Sequence, residues 1–597
     1  MAIDVRELQA RPLEPVVADE LDLYERTVQE YLDGRIDDDV FRVFRLNNGV
    51  YGQRQGGHNQ MLRVKIPYGK VTPEQLDTMA YIAETYSRGW GHLTTRQNAQ
   101  FHFIQLEQTP EILRLLAAAN LTSREACGDT VRNVMGCHLA GACPQEKLDI
   151  TPWAEATARY LLRHAYSQRL PRKFKINFSG CATDCGQAMF NDVGVVAVNR
   201  TLEDGAIEAG FKVFIAGGLG ANPHPALALE EFTSREDLLP TIEATLRTFD
   251  HYGNRDNKIR ARLKWLVDSM GIEELRERVV KERKFLRAAR FWPGGIPEQV
   301  RVAGDAPAGG QVVDTEGNPT SIGVAVTLRS NDPFKRWVEA NVVRGVANGT
   351  VSAYAYSRLG DVTTSQFRAL ATIQRDFELD IRITSRQNFA LRDLTEADLR
   401  GLYDRLAEIG MAEPGAELAR DVVSCPGADT CNLAVTQSRG LASAIGEALE
   451  DAGLAEVGGV RVNISGCTNS CGQHHISDIG FFGLERRAHG RAAPGYQMLL
   501  GGHLGEMEVE FGQKSAKVPA KAAPEAVVRI VGRFANERNA GETFPQWMQR
   551  SGGVKSVTET VQDLDFFPAP DVGPAFYVDY DETGPYAAEV GESECAT

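Results

Sequence analysis

The sequence lacks the marks of an exported or membrane-spanning protein. Its first residues, MAIDVRELQARPLEPVV, contain no apolar core flanked by basic residues. No run of about 18 apolar residues occurs anywhere. It also lacks an excess of basic charge: 65 Lys and Arg stand against 80 Asp and Glu, a net charge of −15. Since a general nucleic-acid binder needs a basic surface, these absences predict a cytoplasmic protein with no membrane and no nucleic-acid partner.

The 597 residues contain two copies of one plan. Each copy opens with a strand–helix–strand pattern and continues into mixed segments, and the same short motifs recur in the same order. The paired motifs are Gly69–Thr72 and Gly360–Thr363, Thr94–Asn98 and Thr384–Asn388, Arg132–Cys137 and Arg420–Cys425, Ser179–Cys181 and Ser465–Cys467, and Asp192–Gly194 and Asp478–Gly480. This order predicts a tandem duplication.

Cysteines with metal-ligand spacing stand in the second copy. Cys425 and Cys431 form C-x5-C, and Cys467 and Cys471 form C-x3-C after a gap. Four thiolates from two loops can hold a cubane iron–sulfur cluster, because soft sulfur suits iron. Zinc, which favours tighter C-x2–4-C pairs, and plain buried thiols are the alternatives. The spacing indicates a metal site more strongly than it indicates which metal.

These cysteines belong to a larger set of motifs that resembles the sirohaem-dependent sulfite and nitrite reductases. The set spans roughly residues 45 to 560 in family order, so the resemblance covers most of the chain. The motifs are Met61–Pro67, Thr94–His102, Arg132–Val134, Leu170–Lys175, Cys425–Cys431 and Asn463–Gly472.

The resemblance implies two cofactors, sirohaem and a [4Fe-4S] cluster. Cys425, Cys431, Cys467 and Cys471 are then the cluster ligands, and Cys471 shares its thiolate with the sirohaem iron. Arg96 and Gln100 match positions that contact the sirohaem. The basic run Arg255–Lys264 is either part of that cradle or the polar face of a helix.

The resemblance also implies a pocket for an oxyanion, formed by Arg63, Arg132, Lys173 and Lys175. Cations that donate hydrogen bonds suit a substrate whose oxygens leave as water. We expect the two lysines to share a face of one strand. A lysine crowded by other cations can release a proton, whereas arginine cannot, so Lys173 and Lys175 are the candidate acids.

The expected fold is α+β, a pseudo-twofold tandem duplication. Each half comprises a ferredoxin-like α/β half-domain followed by a larger mixed α/β sirohaem/cluster domain. We expect a helical N-terminal extension (1–45), a first half-domain (46–120) and large domain (121–291), a linker (292–322), a second half-domain (323–412) and large domain (413–560), and an acidic tail (561–597) that is solvated or loosely wrapped.

The leading functional hypothesis is an assimilatory sulfite reductase that takes sulfite to sulfide. Nitrite reduction to ammonia on the same scaffold is the alternative, and a non-catalytic zinc or iron–sulfur scaffold is the second. No glycine-rich nucleotide fingerprint follows a strand, and Gly217–Gly220 is too short to be one. Electrons must therefore come from a partner protein, either a ferredoxin or a separate flavoprotein reductase.

The first copy departs from the family pattern, because it repeats the cysteine spacings. These cysteines are Cys137, Cys143, Cys181 and Cys185. In a mirror-image pocket Tyr354 would replace Arg63, and Gly459 would replace Lys173. We therefore expect one competent active site, with the first-copy cysteines either inert or holding a second cofactor. Cys127 and Cys595 fall outside both sets.

Overall fold

The structure is a computed structural model of the chain. It describes residues 5–289, 312–313, 319–320, 328, 330–345 and 350–591. Most of the expected linker 292–322 lies outside the described residues, as does Cys595. None of the described helices is both long and apolar enough to cross a lipid bilayer.

Residues 5–47 form helices that pack on the first half of the chain. These are α1 (Val5–Gln9), α2 (Pro15–Leu32) and α3 (Asp38–Asn47). Pro15 stands in the first turn of α2, where its missing N–H removes no helical hydrogen bond. The buried Tyr24 hydroxyl of α2 is hydrogen-bonded to the Thr109 hydroxyl at 3.0 Å. The extension is thereby fixed to the first half-domain.

The first half-domain combines short strands with two helices. Its elements are β1 (Val50–Gly52), β2 (Asn59–Val64), β3 (Lys70–Val71), α4 (Pro73–Tyr86), β4 (Trp90–Leu93), β5 (Ala99–Gln105) and α5 (Thr109–Ala118). Helix α4 begins with a capping box: the Thr72 hydroxyl accepts the Gln75 N–H, and the Gln75 side chain accepts the Thr72 N–H. The sequence motif Gly69–Thr72 therefore marks the start of this helix.

The first large domain contains a five-stranded mixed sheet. Its elements are β6 (Met135–Gly136), α6 (Thr151–Leu161), β7 (Ile176–Ser179), β8 (Val193–Thr201), β9 (Ile207–Ile215), β10 (Leu227–Thr233), α7 (Leu238–Tyr252), α8 (Leu263–Met270) and α9 (Ile272–Ala288). The strand order is β10-β9-β8-β7-β6. Strands β6, β7 and β8 run parallel, and β8, β9 and β10 run antiparallel.

The second half repeats these elements after a short pairing of β11 (Val312–Val313) with β12 (Pro319–Thr320). The half-domain has α10 (Pro333–Asn341), β13 (Val342–Arg344), β14 (Thr350–Ala355), β15 (Asp361–Thr363), α11 (Thr364–Asp376), β16 (Asp380–Ile383), β17 (Phe389–Thr395) and α12 (Leu399–Glu408). The large domain has β18 (Val423–Ser424), α13 (Ser438–Asp451), β19 (Val462–Ser465), β20 (Ile479–Ala488), β21 (Arg491–Leu500), β22 (His503–Gly505), β23 (Glu508–Glu510), β24 (Gln513–Pro519), α14 (Ala523–Glu537), α15 (Phe544–Arg550) and α16 (Gly553–Glu559).

Each small sheet is completed by a strand from the other half. The orders are β1-β2-β5-β4-β15 and β13-β14-β17-β16-β3, so β15 and β3 exchange places. In the registers Asp361 lies opposite His92, and Lys70 lies opposite Arg382. One hydrophobic core runs through both sheets and includes Phe101 and Phe367, whose ring centroids are 6.4 Å apart. The two half-domains therefore form one packed unit.

Equivalent backbone contacts confirm the tandem duplication. The Lys175 N–H donates to the Asp192 carboxylate at 3.0 Å, and the Arg461 N–H donates to the Asp478 carboxylate at 2.8 Å. Between the two large domains, the side-chain amides of Gln187 and Gln473 donate to each other, at 2.9 and 2.7 Å. These reciprocal bonds mark the pseudo-twofold axis.

Gly69, which precedes the exchanged strand β3, tests how strongly this interlock contributes to stability. Its φ is +77°, and a Cβ there would lie 2.3 Å from the Ile383 carbonyl oxygen of the second half. Gly34 has a similar φ of +73° with nothing near its Cβ position, so it serves as the matched control. Gly34→Ala incurs only backbone strain, roughly 1–2 kcal/mol. We expect Gly69→Ala to lower the free energy of unfolding by about 2 kcal/mol more, measured by urea denaturation. Equal losses for the two variants would contradict the close approach.

Candidate active site between the two halves

The second-half cysteines lie on two loops that leave neighbouring parallel strands. Cys425 follows β18 directly, and Cys467 stands two residues after β19, with Ser424 opposite Ile464 in the register. The Cys425 sulfur is 3.3 Å from the Gly466 N–H donor and 3.3 Å from the Ser438 hydroxyl. Donors of this kind favour a thiolate over a thiol.

All four sequence-predicted cluster cysteines come together. Burial raises the pKa of the Cys467 thiol, and the other three thiols raise it further. Burial and the nearby Cys471 raise the pKa of Cys425. Among the described residues no three His, Cys, Asp or Glu side chains are arranged to chelate a single ion. A cubane cluster does not need three side chains that meet at one ion, because each of its four iron atoms takes one thiolate.

Residues of the first half hold these cysteine loops. The Thr95 hydroxyl donates to the Cys471 carbonyl at 2.9 Å. The Arg54 guanidinium donates to the Ala434 carbonyl at 2.6 Å, and the Arg54 N–H donates to the Thr430 carbonyl at 3.1 Å. The cysteines of one half and the side chains of the other therefore build a single site.

Arg63 and Arg132 meet at one carbonyl group. The Nη1 atoms of Arg63 and Arg132 lie 3.4 and 3.0 Å from the Ala126 oxygen. Arg132 also donates to the Gly128 carbonyl, at 2.7 Å from Nη2. Arg63 rises from β2 and Arg132 from the loop before β6, so two separate elements bring their charges together.

Arg96 lies beside this pair, in the turn between β4 and β5. Its partners are neutral: Nη1 donates to the Asn177 side-chain oxygen at 3.1 Å, and Nη2 to the Asn133 carbonyl at 2.7 Å. Burial, followed by the charge of Arg132, lowers the pKa of Arg96 to about 9. So low a pKa indicates that the carboxylates of the protein do not fully offset the positive charge of this guanidinium group.

Lys173 and Lys175 reach the same region, but the expected strand does not include them. Strand β7 begins at Ile176, and the two lysines lie in the extended segment before it. The pKa of Lys175 is far below its ordinary value, because the ammonium group is buried and because Arg96, Arg262 and Lys173 lie nearby. The structure thus brings both lysines to the cation cluster.

The basic run Arg255–Lys264 divides into a site part and a surface part. Arg262 donates to both oxygens of the buried Asp192, at 3.1 and 2.8 Å, and Lys264 donates to the Leu219 carbonyl at 3.2 Å. Lys258 instead pairs with Asp129 at 2.7 Å. Burial and the charge of Arg262 lower the pKa of Lys264 to about 8. Only the end of the run therefore adds positive charge to the site.

Gln100 lies opposite Arg63 in the β2–β5 register and opposite His92 in the β4–β5 register. The two sequence-predicted residues are therefore neighbours on one face of the sheet. The sequence did not assign Cys127 to the site, yet its sulfur lies 3.8 Å from Arg63 Nη1. Thr95, Asp192 and Cys127 acquire their places only through tertiary contacts, although Thr95 and Asp192 stand inside recurrent motifs.

The donor set fits the two implied cofactors. Four thiols from two loops match a cubane cluster, and the adjoining cations, offset in part by the buried carboxylate of Asp192, match a polyanion such as sirohaem. The structure also leaves polar atoms at the site without a protein partner: Arg96 Nε and both ring nitrogens of His102, all within the described residues. A bound group with acidic edges would use this unsatisfied capacity.

Four segments of the chain match the models of one protein family. Residues 127–285 and 415–565 match the nitrite and sulphite reductase 4Fe-4S domain. Residues 51–119 and 347–409 match the nitrite/sulfite reductase ferredoxin-like half domain. The chain belongs to the nitrite and sulphite reductase family.

Individual relatives agree with this membership. An assimilatory ferredoxin-dependent nitrite reductase of Haloferax mediterranei is 30% identical over 91% of this chain and 91% of its own. A ferredoxin sulfite reductase of Mycobacterium tuberculosis is 30% identical over 84% of this chain and 87% of its own. The solved structure of the Mycobacterium tuberculosis NirA protein superposes with a TM-score of 0.73 at 28% identity, covering 90% of this chain and 95% of that one.

Family membership confirms the predicted fold, the enzyme class and the cofactors. The chain is an α+β oxidoreductase of the sulfite and nitrite reductases, and its family uses sirohaem and a [4Fe-4S] cluster. The hypothesis of a non-catalytic zinc or iron–sulfur scaffold is therefore wrong.

The corresponding pocket of the second copy has its cations neutralised. Arg461, the counterpart of Lys175, binds the Glu417 carboxylate at 2.7 Å. Arg420, the counterpart of Arg132, binds Glu450 at 2.6 Å. Tyr354 takes the place of Arg63, because it pairs with Ala390 in the register as Arg63 pairs with Gln100. The first-copy pocket differs in that burial and neighbouring cations lower the pKa values of Arg96 and Lys175 there.

The C-terminal tail differs from the loose segment that we expected. Its described residues lie across the loop between Cys431 and α13. The Asp579 carboxylate accepts the Gln437 N–H at 3.0 Å, the Tyr586 hydroxyl donates to the Val435 carbonyl at 3.0 Å, and the Gly591 N–H donates to the Asn432 carbonyl at 2.9 Å. A Cβ on Gly440 would lie 2.4 Å from the Tyr580 side chain, so glycine permits this close contact.

Removal of the tail should make the cluster site more accessible. We expect a chain ending at residue 578 to lose cluster iron to a chelator about tenfold faster, because hydrogen bonds of about 1 kcal/mol each no longer hold the Cys431 loop. Bleaching of the visible absorption measures the rate. A chain ending at residue 591 keeps every contact named above and is the control. Equal rates for the two truncated chains would show that the tail does not protect the site.

Proposed function

We propose that this reductase is an assimilatory sulfite reductase that takes electrons from a ferredoxin. The observation that supports it is the group of cations around Arg96, the residue next to Thr95, whose hydroxyl donates to the Cys471 carbonyl. Sulfite carries up to two negative charges and nitrite carries one, so a pocket with excess positive charge attracts sulfite more strongly. The ferredoxin donor is supported by the names of the relatives and by the lack of a nucleotide fingerprint in this sequence.

In this proposal Cys425, Cys431, Cys467 and Cys471 ligate the [4Fe-4S] cluster, and Cys471 also contacts the sirohaem iron. Arg96 and Gln100 help to hold the sirohaem, together with Arg262 and Lys264. When bound, these cofactors supply the electrons and the iron at which the oxyanion is reduced. The Thr95 hydroxyl fixes the backbone of Cys471 and so positions that thiolate relative to the cation pocket.

Arg63 and Arg132 are proposed to bind the oxyanion oxygens. Their guanidinium groups come from two separate elements and converge on the Ala126 carbonyl, and Arg132 also donates to the Gly128 carbonyl. A guanidinium group is planar, stays charged and donates several hydrogen bonds, which suits it to binding an oxyanion. The two arginines would thus orient the substrate and bind the charge that develops on its oxygens.

Lys173 and Lys175 are proposed to supply protons. Each oxygen that leaves as water consumes protons, so the pocket needs a group that loses and regains one near neutral pH. Burial and neighbouring cations lower the pKa of Lys175, so its ammonium group gives up a proton more readily than that of an ordinary lysine.

Nitrite reduction is the second candidate, because the Haloferax mediterranei nitrite reductase matches 91% of both chains. The deciding measurement is the kcat/KM of the cofactor-loaded enzyme for each oxyanion with a reduced ferredoxin. We expect the higher value for sulfite. A higher value for nitrite would assign the enzyme to nitrite reduction, and activity with neither would contradict the assignment of the pocket.

Arg132 and its counterpart Arg420 form a matched pair for testing the pocket. We expect Arg132→Gln to lower kcat/KM for sulfite by on the order of 100-fold, as the loss of an oxyanion donor does. Arg420→Gln should change it by less than about threefold, because Arg420 pairs with the half-exposed Glu413 and Glu450. The two variants are compared with the wild type by steady-state kinetics at equal sirohaem content. Similar losses in both variants would remove Arg132 from the substrate site.

The pH profile tests the role of Lys175. A proton donor must be protonated to act, so kcat of the wild type should fall as pH rises through the lowered pKa of Lys175. Lys175→Arg keeps the charge but releases no proton, so kcat should drop roughly 100-fold while KM stays within about threefold. The alkaline fall assigned to Lys175 should also vanish. An unchanged profile in this variant would contradict the proton-donor role.

A further inference from the structure

The first-half cysteines form a second four-thiol group. Cys137, Cys143 and Cys181 are buried and Cys185 is half-buried. The Cys143 thiol lies close enough to Cys181 to raise its pKa, and the Cys185 thiol close enough to Cys137 to do the same, so the two loops bring their thiols together. Cys185 stands two residues before Gln187, which contacts Gln473 of the second half, and none of the four cysteines belongs to the site described above.

The backbone around this group matches the backbone around the second-half cysteines. The Cys137 N–H donates to the Phe178 carbonyl at 3.0 Å, as the Cys425 N–H donates to that of Ile464 at 3.2 Å. Both pairs of loops leave neighbouring parallel strands, β6 and β7 in one half and β18 and β19 in the other. Identical spacings on equivalent strand ends give the two sets of thiols the same reach.

The second loop of each pair is also fixed in the same way. The Gly186 N–H donates to the Ser179 hydroxyl at 3.1 Å, and the Gly472 N–H to the Ser465 hydroxyl at 3.0 Å. A Cβ on either glycine would lie 1.9 Å from a strand carbonyl oxygen, so both loops need glycine there. The C-x3-C turn of the first half is therefore the same turn as that of the second half.

We propose that Cys137, Cys143, Cys181 and Cys185 bind a second [4Fe-4S] cluster. Four thiolates in a closed, buried pocket need a positive centre, and a cubane core supplies one while accepting a single thiolate at each iron. The described residues offer no three such side chains arranged for a single chelated ion, which makes zinc the less suitable occupant. The proposal does not depend on which oxyanion the enzyme reduces.

The surroundings of this second cluster exclude it from substrate reduction. Tyr354 stands where the catalytic pocket has Arg63, and its hydroxyl is 2.8 Å from the His138 ring nitrogen. Glu417 and Asp421 bind the Arg386 guanidinium, at 3.4 and 3.0 Å. An oxyanion would meet carboxylates and a phenol rather than free cationic donors. The second cluster is therefore a bound metal site without an oxyanion pocket.

Metal and sulfide analysis of the anaerobically purified, sirohaem-loaded full chain tests the proposal. Two clusters and one sirohaem contain about nine irons and about eight acid-labile sulfides per sirohaem, whereas one cluster gives about five and about four. We expect the higher values. The lower values, with or without about one zinc per chain, would overturn the proposal.

A pair of double variants assigns the extra iron to its ligands. Cys143→Ser with Cys181→Ser should lose about four irons and four sulfides and keep the sirohaem absorption. Cys431→Ser with Cys467→Ser should lose the same amounts together with the electronic coupling between cluster and sirohaem, seen by electron paramagnetic resonance. Unchanged iron in the first variant would overturn the proposal even if the wild-type iron content were high. If the first variant fails to fold, the wild-type stoichiometry still decides.

Discussion

The exchange of one strand between the two small sheets is the constraint on which the rest of the structure depends. Strand β15 of the second half closes the first sheet, and β3 of the first half closes the second. A single hydrophobic core then runs through both sheets, so neither half buries its apolar surface alone. The turn that carries Thr95 and Arg96 is held against the second half by this interlock. Contacts such as that of Thr95 with the Cys471 carbonyl follow from it.

The second feature that organises the molecule is buried positive charge. Arg96, Lys175 and Lys264 all have lowered pKa values, with burial as the main cause and neighbouring cations as a further one. Cations gathered in this way destabilise the protein unless anions bind among them. In the proposed site, sirohaem and the oxyanion substrate would supply those anions. The stability of the folded chain and the affinity of the site for its ligands are therefore linked.

The tandem duplication and the four second-half cysteines could be predicted from the sequence because they stand in recurring local motifs, whereas the members of the cation pocket were implied only by the family resemblance. The pairing of first-half cations with second-half cysteines came from the family resemblance. The contact between Cys127 and Arg63 could not be predicted, since it joins residues with no shared motif. The sequence predicted that Lys173 and Lys175 lie within a strand, but the strand begins after them. The alternation of residues along the chain does not show where hydrogen-bonded pairing of strands begins. The roles of the individual site residues stay predictions.

The tail shows a different limit of sequence reasoning. Beyond Lys555 the chain has no Lys or Arg and many acids and prolines, a composition typical of solvated segments. Yet Tyr577 and Phe567 pack with Ala493 in a small core, and Asp579 accepts a backbone N–H. Burial raises the pKa of Asp579 to about 6, so the docked tail makes this carboxylate easier to protonate than an exposed one. The average composition of a segment cannot show that a few of its aromatic residues pack against another surface of the protein.

The two cysteine sets resemble each other while the two pockets differ, because the cysteine sets and the pockets depend on different parts of the chain. A cysteine quartet depends on strand ends, glycine turns and four side chains, and all of these recur in both halves. An oxyanion pocket depends on the identity of single cations and on the absence of carboxylates beside them. In the second copy, Tyr354 stands in place of an arginine and Glu417 binds Arg461, so single residues distinguish the two pockets. A duplicated reductase can therefore retain two cluster-binding scaffolds while only one of them faces a site that attracts an oxyanion.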